Sequence, residues 1–340
     1  MKVTTIGLDI AKTVFQVHGI DEDGEVAIRK RLNRNQMRVF FEALPPCLIG
    51  IEACATAHYW ARELSALGHE VRLMPAHYVK PYVKRSKNDA ADAEAICEAV
   101  ERPNMRFVPV KAPDTQALAL MHRMRTQLVG QRTALLNGLR AGLAEFGIIT
   151  TTGLGGANEL LRIADARDER MPDLIRNTYA MIAEAIRNVE RQLATLDLEI
   201  QANARIDDAC RRLCTIPGIG PVTSTTIVAL AGDLSRFSTG RDFAAWLGLT
   251  PRQNSSGGKA RLGRITKAGD QTLRTLLVLG AFTIIRRARV DPAKALPWLL
   301  AILSRRPPLV AAVAWANKTA RIIWAVLTRG GAYRAPSPAC

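Results

Sequence analysis

Apolar residues at alternate positions dominate the start of the chain. Val3–Ile10, Thr13–Ile20 and Glu25–Leu32 each carry this period of two, which predicts three half-buried strands parted by the short breaks Ala11–Lys12 and Asp21–Gly24. The spacing then lengthens to three and four over Asn35–Leu44, the pattern of a helix. Cys47–Ala53 reads as a short apolar strand, Ala57–Leu67 as an amphipathic helix ended by Gly68, and Glu70–Pro75 as a further strand. Asp89–Glu101 is expected to be helical, with Ala93, Ile96, Cys97 and Val100 on its apolar side.

Beyond this mixed segment the period is helical. Asp114–Phe146 is rich in Leu, Ala and Arg, a Gly-rich break covers Thr152–Ala157, and Asp173–Ile206 forms a second long helix. In the latter the apolar positions are Met181, Ile182, Ile186, Val189, Leu193, Leu196 and Ile200, and from Ile182 onward their spacing suits a coiled-coil hairpin or an oligomer seam, a packing role without chemistry. From about Arg211 the chain is helical and basic, broken by Gly-rich loops. Three regions follow: an α/β domain over 1–112, a helical linker and oligomerisation region over 113–207, and a mostly α, basic domain over 208–335. Three strands in meander order followed by β-α-β units is the element order of an RNase H-like fold.

Composition sharpens this picture through charge. The apolar share of 48% and charged share of 23% are ordinary for a folded chain of 340 residues, but the net charge of +16 is not. From Arg205 onward there are 21 Lys and Arg against 6 Asp and no Glu, an excess of fifteen. Cations concentrated in this way favour a polyanion, whose condensed counterions are released on binding, over a merely solvated surface or an anionic membrane. The N-terminus lacks the continuous apolar stretch of a secretory signal, and the runs Leu276–Ile285 and Leu296–Leu303 fall short of the ~18 residues of a spanning helix. The cysteines, Cys47, Cys54, Cys97, Cys210, Cys214 and Cys340, show neither zinc spacing nor a disulfide framework, and Cys210 and Cys214 read as two residues on one helix face. A reducing cytoplasm is the expected setting, with association to the nucleoid during action and no membrane.

Acidic residues supply the candidate chemistry. Asp9 interrupts an apolar strand between Leu8 and Ile10 and so faces away from them, where its charge is costly without compensation. Glu52 repeats the situation at the end of Leu48–Glu52. Asp89 and Asp92, three apart, share one face of a helix, with Glu94 and Glu98 as runners-up on the same element. Each has a bland alternative: Asp89 and Asp92 as favourable acids in a first helical turn, Asp9 as a turn former, Glu52 as the partner of an arginine. Taken together, in that order on two strands and a helix, they can meet at the C-terminal edge of the sheet. Such a cluster repels itself unless divalent cations hold it, and all-oxygen ligands select Mg²⁺, with Mn²⁺ as the alternative, for two-metal phosphodiester chemistry.

Two features of the basic half bear on nucleic acid. Ile216-Pro217-Gly218-Ile219-Gly220-Pro221 has the form of a helix-hairpin-helix turn, in which Gly218 and Gly220 let backbone N–H groups approach a phosphate; an ordinary tight helix connection has the same form. Between Arg252 and Arg274 lie six basic residues (Arg252, Lys259, Arg261, Arg264, Lys267 and Arg274) and a single acid, Asp270. They surround Ser255-Ser256-Gly257-Gly258, whose hydroxyls would bind a phosphate as donors or attack it as nucleophiles. His58 and His77 lie near the acidic segments and read as packing or nucleic-acid-contacting residues.

These residues resemble the DEDD-type transposases of the insertion-sequence-110 family, in particular its 1111 group, over essentially the whole chain. The likeness rests on Gly7-Leu8-Asp9-Ile10-Ala11-Lys12, Ile51-Glu52-Ala53-Cys54 with Ala57-His58-Tyr59-Trp60, and Lys87-Asn88-Asp89-Ala90-Ala91-Asp92-Ala93. It continues through Pro217–Pro221, Gly248-Leu249-Thr250-Pro251-Arg252 and Ser255–Lys267. The resemblance implies a RuvC-like domain whose Asp9, Glu52, Asp89 and Asp92 bind Mg²⁺, and a C-terminal transposase domain with a serine nucleophile that becomes linked to DNA. Ser256, directly before the glycine, is the expected nucleophile, and Ser255 is the other alignment. It further implies guidance by a structured bridge RNA and a dimer or tetramer in which one subunit's carboxylates meet another's serine on donor and target DNA. Ala55 departs from the family pattern, where glycine is expected after the Glu-Ala-Cys step. A junction resolvase or DEDD nuclease using metal-activated water is the alternative function.

Overall fold

A computed structural model describes residues 2–84, 88–166, 168–254 and 261–334. The chain divides into two units, Met1–Ala112 and Pro113–Cys340.

The first unit is built on five strands: β1 (Thr5–Ile10), β2 (Val14–Ile20), β3 (Val26–Asn33), β4 (Leu48–Glu52) and β5 (Glu70–Met74). Their order across the sheet is β3-β2-β1-β4-β5; β1, β2 and β3 are antiparallel neighbours, while β4 runs parallel to both β1 and β5. The predicted meander and β-α-β order are therefore present, with every predicted strand found. Helices α1 (Met37–Glu42), α2 (Ala57–Ala66), α3 (Ala76–Val79) and α4 (Asp89–Val100) complete the unit.

Alternation sorts the strand residues onto two faces. Ile6, Leu8, Ile49 and Ile51 are fully buried with Phe15, Leu32, Met37, Phe41, Trp60 and Leu64, so this face is covered by α1 and α2. The other face carries α4, whose Ala95, Ile96, Ala99 and Val100 pack with Met74 and Val79. All four residues expected on the apolar side of that helix are buried.

The second unit is helical. Two long helices, α5 (Pro113–Ala144) and α7 (Asp173–Ile206), lie antiparallel: Arg125 meets Asp197 at 2.6 Å near one end, and Gly142 faces Tyr179 near the other. Ile186, Leu193 and Ile200 of the predicted stripe are buried, whereas Met181 is 71% exposed and stands outside it. The expected break over Thr152–Ala157 is shorter than the glycines suggested. Helix α6 (Leu154–Asp165) begins inside it, because Gly156 is packed against the Thr151 carbonyl where a Cβ would not fit.

The basic part comprises α8 (Asp208–Leu213), α9 (Pro221–Ala231), α10 (Gly240–Trp246), the hairpin β6 (Pro251–Gln253) and β7 (Leu262–Ile265), α11 (Gln271–Val290), α12 (Pro297–Leu303) and α13 (Pro308–Arg329). Leu213, Ile219, Ile227, Phe243, Leu247, Leu273, Ala320 and Ile323 form its main core. Cys210 lies within α8 and Cys214 caps its end rather than continuing the helix. Helix α13 is long and apolar enough, by length and composition alone, to cross a membrane, which the apolar runs had not suggested. Its buried Ala311, Ala312, Trp315, Ala316, Ala320 and Ile323 instead face other helices of this unit.

Candidate functional site

The site is set by one helix lying unusually close to one sheet. Thr5, Gly7 and Asp9 share a face of β1, and Leu48, Gly50 and Glu52 share the same face of β4, with Gly7 opposite Gly50. A Cβ on Gly7 would come within 2.0 Å of the Ala93 carbonyl oxygen and 2.4 Å of the Cys97 nitrogen. One on Gly50 would lie 2.8 Å from Cβ of Val100. The two glycines thus let α4 sit directly on the strands, a close approach that any side chain would block. Neither entered the sequence-based site, although glycine inside an apolar strand is the visible signal of such an approach.

The helix starts where it must for chemistry. Asn88 caps α4 by accepting a hydrogen bond from the Ala91 N–H at 2.8 Å, which places Asp89 and Asp92 in the first turn. Oxygens of Asp9, Asp89 and Asp92 all lie within 4.8 Å of one another, close enough to share a metal ion. The register Leu8↔Ile51 sets Asp9 beside Glu52 at the ends of parallel neighbours. Glu52 acts on this cluster electrostatically and stands outside the group of three.

Asp9 registers the consequence. Burial pushes its carboxyl up to about 6, and Asp92, Asp89 and Glu52 push the same way; the Ile10 backbone N–H opposes them. Three acids thus converge, with the Glu52 charge at the neighbouring strand end, where one is already reluctant to ionise, and a cation would relieve the repulsion. The donor set consists of carboxylate oxygens, which suits a hard divalent ion. Beside the cluster, burial together with the Glu52 and Asp9 charges raises the pKa of the Cys54 thiol.

The other acids on α4 have their own cations. Glu98 meets Lys84 at 3.1 Å and Arg102 at 2.8 Å, which hold its carboxyl below the usual range, and Glu94 meets Lys84 at 3.6 Å. They are therefore engaged in ion pairs beside the cluster. His58 accepts a hydrogen bond from the Lys111 N–H at 3.2 Å, and the exposed His77 ring lies 4.1 Å from that of Tyr78. The backbone strain after Glu52 falls not on Ala55 but on Thr56, which takes φ +71 at the start of α2.

In the second unit, Ser255, Ser256 and Lys259 lie outside the described residues. What is described is the base of their loop. Pro251 pairs with Ile265 and Gln253 with Leu262, both strands are exposed, and the Asn254 N–H donates to the Arg261 carbonyl at 2.9 Å. Arg252 donates to the Thr266 carbonyl at 3.2 Å, while Arg264 and Lys267 line a cleft of about 1790 Å³ with α11 and α13. Arg274 is tied inward, donating to the carbonyls of Leu247 (3.1 Å) and Gly269 (3.0 Å). The two glycines of the 216–221 turn differ. Gly218, at φ +88, is pressed against the Gly280 carbonyl of α11, whereas Gly220, which precedes α9, has open space where a side chain would be.

A model described as the transposase IS116/IS110/IS902 family matches residues 210–296, and one described as a transposase, of the DEDD IS110 type, matches residues 6–148. A probable family 20 transposase of Pseudomonas aeruginosa is 49% identical over 98% of this chain and 99% of its own length. The transposase for insertion sequence element IS1328 of Yersinia enterocolitica is 40% identical over 96% and 98%, respectively. That for IS1111A of Coxiella burnetii is 38% identical over 98% and 92%.

Proposed function

This chain belongs to the IS116/IS110/IS902 family of insertion-sequence transposases, and we propose that its sheet unit is a RuvC-like centre holding Mg²⁺ for the cleavage and exchange of DNA strands. The observation that carries this reading is the convergence of Asp9, Asp89 and Asp92 within 4.8 Å, with Glu52 at the neighbouring strand end. Those four carboxylates would hold the metal, with Mn²⁺ as a substitute. When bound, such ions acidify an attacking oxygen and offset charge on a leaving one. The residues themselves do the rest. The glycines hold α4 on the sheet, Asn88 fixes the turn bearing Asp89 and Asp92, and the apolar strands keep Asp9 half-buried, where electrostatics are strong.

The second unit supplies the nucleophile in this proposal. Ser256, or Ser255 in the other alignment, attacks a backbone phosphorus. A seryl O–P bond forms as a P–O bond of the strand breaks, and the departing hydroxyl takes up the proton that the serine gives up. An incoming strand hydroxyl then reverses the step and joins DNA to DNA. Arg252, Lys259, Arg261, Arg264 and Lys267, with the N–H groups of Gly220 and of the first turn of α9 beyond Pro221, would hold phosphates around the hairpin, while the inward bonds of Arg274 suit it to supporting them. The long-helix pair would serve assembly as a dimer or tetramer, and a bridge RNA would select donor and target.

A covalent-adduct assay tests the reaction. Full-length protein with a nicked DNA substrate and Mg²⁺ should give a protein–DNA adduct that withstands denaturant, is lost in Ser256→Ala and is absent in EDTA. Strand cleavage without an adduct, indifferent to both Ser255→Ala and Ser256→Ala, would instead mark a metal-dependent nuclease that uses water.

A further inference from the structure

Beside the carboxylates, on the same face of the sheet, lies a cleft of about 380 Å³ bounded by β2, β3 and the first turns of α4. Its side chains include Gln16, His18, Arg29, Arg31, Asn88 and Glu94. Register ties it to the acidic site. Asp9 is opposite Gln16, and Gln16 is opposite Arg31, so one row across the sheet reads Arg31, Gln16, Asp9. The next row reads Arg29, His18, Gly7. Lys30, between the two arginines, also borders the cleft, but its ammonium lies on the opposite face, 5.1 Å from the Phe40 ring centre.

The charges in this cleft are unbalanced. Among the described residues, neither the Arg29 nor the Arg31 guanidinium has an ion-pair or hydrogen-bond partner, while the acid in the cleft, Glu94, is already met by Lys84 at 3.6 Å. His18 is buried and held towards its neutral form by that burial. Two exposed guanidinia and an amide therefore stand beside a carboxylate cluster with no anion of their own. Arg31 and Asp9 are two strand spacings apart, roughly 10 Å. A DNA strand with one phosphate at the carboxylates would carry a neighbouring phosphate over the cleft.

We propose that the cleft is a phosphate seat in which Arg29 and Arg31, with the Gln16 amide, hold the DNA backbone next to the position of cleavage. Guanidinium suits this task, since its planar fork donates two parallel bonds to phosphate oxygens. The contact carries no base information and fixes the register of the strand. It rests on the reading of the neighbouring acids as a centre acting on DNA.

Salt dependence tests it without chemistry. Binding of full-length protein to a duplex of arbitrary sequence is followed by fluorescence anisotropy in EDTA over a series of salt concentrations. The double variant Arg29→Gln, Arg31→Gln should lower the slope of log affinity against log salt by about 1 and weaken binding roughly tenfold, alike for every sequence. Arg31→Lys should keep the slope, and Lys30→Gln, on the other face, should leave it unchanged. An unaltered slope in the double variant would overturn the proposal. So would an equal loss in Lys30→Gln, or a loss seen with RNA of the same sequence but not with DNA. Absence of Mg²⁺-dependent cleavage by the wild type would count against the catalytic reading alone, because the slopes are measured without metal.

Discussion

Asp9 in the sheet unit and His122 in the helical unit are both titratable groups carried into apolar surroundings, and the structure treats them in opposite ways. His122, 5% exposed on α5, has both ring nitrogens satisfied: Nε2 lies 3.0 Å from the Thr225 hydroxyl and Nδ1 lies 3.1 Å from that of Thr226, both on α9. Burial lowers its pKa to about 4, so it is neutral, bonded and structural. Asp9, by contrast, is surrounded by Asp89, Asp92 and Glu52, and a backbone N–H opposes their push. A buried polar group with its bonds made contributes to packing. One set among like charges is costly to the fold, and it persists where a ligand relieves the cost.

Asp9→Asn should break the contrast most strongly, with a loss of DNA cleavage of at least about 10³-fold, since a metal ligand supplies several kcal/mol of transition-state stabilisation. The same variant sharpens it in metal-free protein. The folded pKa of Asp9, about 6, lies above its unaffected value of 3.8, so the folded state holds the extra proton. Its charge penalty is absent below about pH 3.8 and complete above about pH 6. Thermal melts in EDTA should therefore show Asp9→Asn raising Tm at pH 8, with the gain vanishing towards pH 4.

Gly7→Ala comes next. Its methyl group would have to displace α4 backbone, and overpacking of this kind destabilises by about 1–3 kcal/mol. Denaturant melts and loss of metal affinity report it together. His122→Ala should cost about 1–3 kcal/mol in the same melts through lost bonds and packing, yet leave metal affinity unchanged. Its pH signature is the reverse of that of Asp9. The stabilisation from neutral His122 is complete above about pH 6.5 and lost as the pH falls through about 4. Arg125→Ala removes a partly exposed ion pair to Asp197 and should cost less than about 1 kcal/mol.

The fold of the sheet unit was legible because its period changes sharply from two to three or four, and because Asp9 and Glu52 break apolar strands where a charge has no packing reason to be. What periodicity could not give is distance. That α4 descends onto Gly7 and Gly50, that Glu94 and Glu98 are neutralised by Lys84, and that Gln16 and Arg31 share a row with Asp9 all follow from register and helix placement. In the helical unit, the charge excess said nothing of which cations face inward. Arg274 counted among the basic residues of the loop, yet it binds carbonyls. Likewise Gly218 shared a motif with Gly220 but is occupied by α11. Met181, just ahead of the stripe, is exposed although Tyr179, Ile182 and Ala183 around it pack inward, because it lies on the outer face of its helix.

Calorimetric titration of Mg²⁺ into the full-length protein at pH 6, in buffers of different ionisation enthalpy, addresses the central claim most directly. Saturable binding with release of a fraction of a proton, and loss of both in Asp9→Asn, is the expected result, because the ion must displace the proton that burial and repulsion leave on Asp9. Wild-type protein that takes up no Mg²⁺, or Asp9→Asn that binds it as well as the wild type does, would contradict the account.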